Sequence, residues 1–149
     1  MLITLTLCLP RDELTVPMAR HIASNAMHEV GVDEDAVDDI AVALTEACTN
    51  VLQHSGPGDE YEVSLELDEQ QCTVRVVDTG HGFDSTAPGL ARPDSAAEEG
   101  RGIELMRSLV DQVRFISRPE AGTVVHLEKS IAYAKDAVVA PKRRDPPAI

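Results

Sequence analysis

Between Asp33 and His54 the apolar residues Val37, Ile40, Leu44, Cys48 and Val51 return every three or four positions. That spacing describes one face of an α-helix about six turns long. Ser55-Gly-Pro-Gly-Asp59 ends the run, and from Glu60 the period drops to two. Glu60–Asp68 and Cys72–Asp78 both alternate apolar and polar residues, separated only by Glu69-Gln70-Gln71, the pattern of an antiparallel hairpin. A long helix with one apolar face, followed directly by a hairpin with one apolar face, can bury both by packing one on the other. This already restricts the chain to a layered helix-on-sheet architecture.

The remaining segments agree. Residues 2–9 alternate Leu and Ile with Thr and read as a first strand, not a signal peptide, since a basic n-region and a small-residue cleavage site are missing. Glu13–Val30 carries Leu14, Met18, Ile22, Ala26 and Val30 at helical spacing, with Pro17 tolerated in the first turn and Gly31 as the stop. Asp33-Glu-Asp-Ala opens the second helix with the acidic residues that a helix N-terminus favours. A third helix is expected over Ile103–Val110, then strands over Gln112–Ser117 and Thr123–Lys129 joined by Pro119-Glu-Ala-Gly122. The order strand, two helices, two strands, loop, helix, two strands predicts an α+β fold, a two-layer α/β sandwich with helices on one face of a mainly antiparallel sheet. With 149 residues the chain suits one domain, over 1–130. The Pro- and charge-rich stretch 131–149 reads as a mobile C-terminal tail.

Charge narrows the function. Twenty-six acidic against 13 basic residues leave a net charge of −13, which opposes a nucleic-acid partner because duplex phosphates need a basic footprint. Lys142-Arg-Arg144 is too small a cluster to reverse that, and His21, His28, His81 and His126 are scattered. No stretch approaches the roughly 20 apolar residues of a membrane span. Cys8, Cys48 and Cys72 are isolated, without a CxxC pair, so they read as small buried apolar residues in a reducing cytoplasm.

Three short motifs carry chemistry. On the second helix Glu46, Asn50 and His54 stand at i, i+4 and i+8, a stripe drifting about 40° per step at the border of the apolar face. Such a stripe suits either the rim of a pocket or a solvated polar face. In a pocket, Asn50 offers a neutral oxygen to a hard cation such as Mg²⁺, and Glu46 can polarise a hydroxyl held beside it. Asp78-Thr-Gly-His-Gly82 ends a strand in a carboxylate followed by a turn with little side chain; it is an Asp-capped turn, or a place where backbone approaches a flat ligand whose exocyclic amine bonds to Asp78. Gly100-Arg-Gly-Ile103 opens a helix, where free backbone N–H groups favour phosphate and Arg101 adds a charged donor. The segment Thr79–Gly100 has no periodicity and is rich in Gly, Pro, Ala, Ser and Asp, which suits a lid hinged at these glycines.

In order and spacing, Glu46-Ala-Cys-Thr-Asn-Val-Leu-Gln-His54 resembles the N-box of the GHKL (Bergerat-fold, histidine-kinase-like) ATPases. Asp78-Thr-Gly-His-Gly82 is similar to their first glycine box, Gly100-Arg-Gly-Ile103 to their second, and Ala121-Gly-Thr-Val124 to their terminal Gly-Thr motif. The resemblance covers roughly residues 2–130. Within that superfamily the small size, Gly82-Phe-Asp84 and Gly102-Ile-Glu-Leu-Met-Arg-Ser-Leu-Val-Asp-Gln-Val-Arg114 resemble the bacterial anti-sigma factor serine/threonine kinases.

The resemblance implies ATP and Mg²⁺ as cofactors. Glu46 would be the catalytic base and Asn50 the Mg²⁺ ligand. His54, Asp78, Gly80, Gly82, Gly100, Arg101, Gly102 and Thr123 would line the nucleotide site, under a lid of about residues 84–101. Met18-Ala-Arg20 is similar to the first-helix pattern in which the arginine meets a partner. It further implies a cytoplasmic kinase that phosphorylates a serine on a small anti-sigma factor antagonist, can sequester a sigma factor, and can form a homodimer. Two other readings stay in view: a switch-type kinase without a sigma partner, and a binding module that clamps its partner in an ATP-dependent way without transferring phosphate. A histidine kinase fragment fits less well, because a dimerisation helix pair with a phosphoacceptor histidine is lacking. Glu98, Glu99 and Glu104 are departures from what a triphosphate site would favour.

Overall fold

The computed structural model describes residues 1–54, 60–78, 102–118 and 122–134. Their order is β1 (Ile3–Pro10), α1 (Thr15–Val30), α2 (Glu34–His54), β2 (Glu60–Leu67), β3 (Gln71–Asp78), α3 (102–109), β4 (Gln112–Arg118) and β5 (Gly122–Ser130). The five strands form one sheet in the order β1-β2-β3-β5-β4, every neighbouring pair antiparallel. Alternation sets its faces. Leu9, Tyr61, Val63, Leu65, Leu67, Cys72, Val74, Val76, Val125 and Leu127 point inward and are buried. α1 packs on α2, and α2 lies across β3 and β5. The α+β two-layer arrangement and the sequence of elements are as the periodicities predict.

α2 buries the face read from the sequence: Val37, Ile40, Leu44, Cys48 and Val51 are all closed to solvent. Burial pushes the Cys48 and Cys72 thiols up to about 12, so both act as small apolar groups. Cys8 does not. It stands exposed on β1, because Leu5, Leu7 and Leu9 take the inward positions and Cys8 alternates with them.

α1 differs in the same way from its expected face. Its buried residues are Thr15, Val16, Ala19, Ala23 and Met27, while Leu14 is 78 % and Met18 51 % exposed. The i, i+4 apolar series Leu14–Met18–Ile22–Ala26 is therefore not the core stripe; small alanines take that place because α1 lies close on α2. The helix ends as predicted at Gly31, whose φ of 89° lets its N–H reach the carbonyls of Met27 and His28. Pro10 ends the edge strand β1, where a missing N–H is tolerated.

Two long-range bonds tie α1 and α2 to the sheet. The Thr15 and Tyr61 hydroxyls meet at 2.7 Å in the interior. Arg11 donates from Nη2 to the carbonyl of Leu52 at 3.1 Å, satisfying one of the last-turn carbonyls of α2 that have no helical partner. Residues 131–134 also pack on the domain: Asp33 N–H donates to the Ala132 carbonyl, Ala134 N–H to that of Gly31, and Tyr133 hydroxyl to that of Asp68. The expected tail from 135 onward lies outside the described residues.

Candidate nucleotide site

α2 sets Glu46 and Asn50 one turn apart on its side, beside the buried stripe. Glu46 is half-buried and Asn50 only 4 % exposed. Thr45 and Thr49 flank the pair but donate their hydroxyls back to the carbonyls of Ala41 and Thr45, each at 2.9 Å, so both are engaged within the helix. The first residue of α3 closes on this pair. A Cβ added at Gly102 would stand 3.3 Å from Glu46 Oε2, 3.3 Å from Asn50 Nδ2 and 3.4 Å from Asn50 Oδ1. The absence of a side chain at Gly102 eases the close approach of the N-terminal turn of α3, with its free N–H groups and positive dipole end, to a carboxylate and an amide.

Asn50 Nδ2 is buried and has no hydrogen-bond partner among the described residues. A buried donor left unmatched costs about 1–3 kcal/mol, so the place calls for an acceptor oxygen. The neighbouring Oδ1 is the hard neutral ligand that Mg²⁺ accepts. No cluster of three or more His, Cys, Asp or Glu side chains suited to a metal occurs among the described residues. A Mg²⁺ ion here would therefore take most of its ligands from phosphate and water, its usual habit in nucleotide sites. The donor set fits a Mg²⁺–phosphate ligand.

The second half of the site lies at the strand ends. Asp78 terminates β3 and is 2 % exposed; Thr123 is the second residue of β5 and is fully buried. Between them Gly122 has φ +78°, and a Cβ there would fall 2.7 Å from the Asp78 backbone oxygen. Gly122 is the residue the sequence motif undersold: it reads as a turn glycine, yet its lack of a side chain lets the start of β5 lie close against the Asp78 end of β3.

A further contributor left no sequence signal. Lys129 on β5 donates to the Leu109 carbonyl at 2.6 Å and lies 3.4 Å from Asp39 of α2. It thus holds the C-terminus of the short α3 to α2, while Met106 and Val110 are buried beneath.

The other predicted site residues divide as follows. His54 is the last residue of α2, and Arg20 is exposed on α1, an element outside the Glu46–Asn50–Gly102 contact. Gly80, Gly82, Gly100, Arg101 and the lid at about 84–101 lie outside the described residues.

Gly102→Ala gives a first test of this geometry. Alanine is the better helix former, and the added contacts of 3.3–3.4 Å ask only for small side-chain shifts, so thermal stability should hold. Its Cβ would press on the Asn50 amide and the Glu46 carboxylate, which must each shift by a few tenths of an ångström. Nucleotide affinity is expected to fall roughly five- to tenfold, about 1–1.4 kcal/mol, with the melting temperature unchanged. Calorimetric titration and scanning calorimetry check the two halves; unchanged affinity would mean the pair does not meet the ligand.

The histidine kinase-like ATPase domain matches residues 9–129. The chain belongs to that family. It is similar to the serine-protein kinase RsbW of Bacillus subtilis strain 168, 33 % identical over 70 % of this chain and 72 % of the relative. It is also similar to the anti-sigma F factor of Pasteuria penetrans, 29 % identical over 70 % and 75 % of the two chains. Among solved structures, the RsbU and RsbW domains of Rv1364c from Mycobacterium tuberculosis superpose with a TM-score of 0.66 at 19 % identity, over 89 % of this chain and 34 % of that longer one. That likeness concerns the fold. No helix among the described residues is long and apolar enough to cross a membrane.

Proposed function

We propose that the chain is an ATP-dependent serine kinase that phosphorylates a small anti-sigma factor antagonist and can also sequester a sigma factor, in the cytoplasm. The observation that supports this reading is the close approach of Gly102 to Glu46 and Asn50, which would bring a general base, a metal ligand and a helix N-terminus together. The names of the relatives, a serine-protein kinase and an anti-sigma F factor, support a protein serine as acceptor and a sigma factor as partner, and the antagonist as the acceptor protein is what the family resemblance implies.

When bound, Mg-ATP supplies the transferable phosphoryl group and the countercharge for its transfer. The residues do the positioning. Asn50 would hold the metal through Oδ1 and offer its unmatched Nδ2 hydrogens to a phosphate oxygen. Asp78 and Thr123 would take the adenine end, and Gly102 with the N–H groups of α3 the phosphate end, where the resemblance adds His54, Gly80, Gly82, Gly100 and Arg101. Glu46 accepts the proton of the incoming serine hydroxyl at its carboxylate as that oxygen becomes the nucleophile. Most of the rate then comes from orientation and charge neutralisation. Arg20, exposed on α1, is assigned to partner contact.

The test is incubation with γ-labelled ATP and a small antagonist-type protein, followed by mapping of the labelled residue. Label on one serine is expected. Tight ATP binding without any transfer would overturn the kinase reading and leave a nucleotide-dependent clamp.

A further inference from the structure

A second concavity lies where the β1–α1 connection meets the last turn of α2. Its volume is about 520 Å³, within the range of small-molecule sites and far beyond the roughly 30 Å³ share of one water. Val16, Pro17 and Leu52 supply apolar walls, and Arg11, Glu13 and Gln53 supply polar groups. Glu46, Asn50, Asp78, Gly102 and Thr123 do not line it, so it is a different place from the nucleotide site.

The connection that forms one wall is fixed in shape. The Asp12 carboxylate accepts from the Leu14 N–H at 3.0 Å. The Thr15 hydroxyl meets the Asp12 carbonyl at 2.6 Å and the Tyr61 hydroxyl at 2.7 Å. Across the hollow, Arg11 Nη2 donates to the Leu52 carbonyl at 3.1 Å and so joins the connection to the end of α2. Walls ordered beforehand leave little ordering for a ligand to bring about.

Charge sets the chemistry of that ligand. Arg11 and Glu13 are two residues apart, so their Cα atoms are at most about 7 Å from each other. Even so, the Glu13 carboxylate makes no hydrogen bond or ion pair among the described residues. Asp12 already serves the first turn of α1, so Glu13 is not spent there. Arg11 uses Nη2 for the Leu52 carbonyl, and a guanidinium carries five N–H donors in all. The hollow therefore presents a cation, an anion and an apolar wall together. A simple ion would be repelled by one of the two charges. A purely apolar molecule would strip water from both and return nothing. A zwitterion with an apolar body satisfies all three.

We propose that this hollow binds a free α-amino acid with a large apolar side chain. Its ammonium would meet Glu13, its carboxylate Arg11, and its side chain Val16, Pro17 and Leu52. Gln53 and Leu52 lie on α2 within two turns of Glu46 and Asn50, so the ligand would bear on the helix that carries that pair.

The test is titration of the full chain with L-phenylalanine, L-leucine and glycine, followed by NMR. Phenylalanine or leucine should bind with a Kd of about 1 mM or tighter. Glycine, which lacks the apolar body, should bind at least tenfold more weakly. So should the decarboxylated amine and the deaminated acid of the tighter ligand, each of which keeps one charge. Glu13→Gln should weaken binding at least tenfold, and Gln53→Trp, which fills the hollow, should abolish it. Both positions are exposed, so the melting temperature should stay within about 2 °C of the parent and lost binding is not unfolding. Absence of binding by both apolar amino acids at about 10 mM overturns the site. A single-charge analogue that binds as tightly as its amino acid, or unaltered binding to either variant, also overturns it. None of these readouts uses nucleotide, so a failure of the kinase reading would leave them standing.

Discussion

Glu46→Ala is expected to lower phosphoryl transfer by roughly 10²–10⁴-fold, the usual worth of a positioned general base, while nucleotide affinity stays within about twofold. The two readouts separate because of where Glu46 sits. It is half-buried, one turn from Asn50, and its Oε2 faces Gly102. Its loss leaves the deeper Asn50 amide and the strand-end residues Asp78 and Thr123 in place. Alanine is also a stronger helix former, so α2 should not weaken. Glu46→Gln keeps the shape and removes the proton acceptor, so it should be as slow as the alanine variant. Single-turnover transfer to the antagonist serine, alongside equilibrium nucleotide titration, makes the distinction. Transfer at the parental rate in either variant would remove Glu46 from the role of base, and a matching loss of affinity would recast it as a binding residue.

The layered fold was legible because each element has a clean period. α2 offers five apolar residues on one face, and the β2–β3 hairpin alternates without interruption. Where two apolar series competed, periodicity was not enough. In α1 the large residues Leu14 and Met18 make the stronger pattern, yet the close approach of α1 to α2 buries Ala19, Ala23 and Met27 instead. Distance between helices, not hydrophobicity, chose that face, and a sequence does not state distances. Cys8 shows the same limit from the other side: its type suggests burial, while strand register turns it outward. Glu46 and Asn50 were visible as a stripe bordering the core because both lie on one helix. The partner that gives them meaning, Gly102, comes from another element more than fifty residues later. Lys129 and Arg11, which hold the ends of α3 and α2, act on backbone carbonyls that any residue could supply, so they leave no pattern.

Gly122→Ala should be the most damaging of the glycine substitutions in stability, and the reason is backbone geometry. Gly122 has φ +78°, a conformation that costs an L-residue about 1–2 kcal/mol. Its added Cβ would also lie 2.7 Å from the Asp78 backbone oxygen, a contact that a side-chain rotation cannot relieve. Either β5 moves away from the end of β3 or the Asp78 peptide turns. With the overlap included, the cost is expected to reach about 3–4 kcal/mol, within the upper range for single substitutions that strain a special backbone position. For a chain of this size that lowers the melting temperature by roughly 10 °C. Asp78 is buried at that junction, so its carboxylate should shift with the backbone and nucleotide affinity fall at least about tenfold in protein still folded at low temperature. Gly102→Ala is the control, since the same methyl group added at a helix start should spare stability. A melting temperature within about 2 °C of the parent for Gly122→Ala would show that the β3–β5 junction yields freely, and the strand ends could not then be the rigid half of the site.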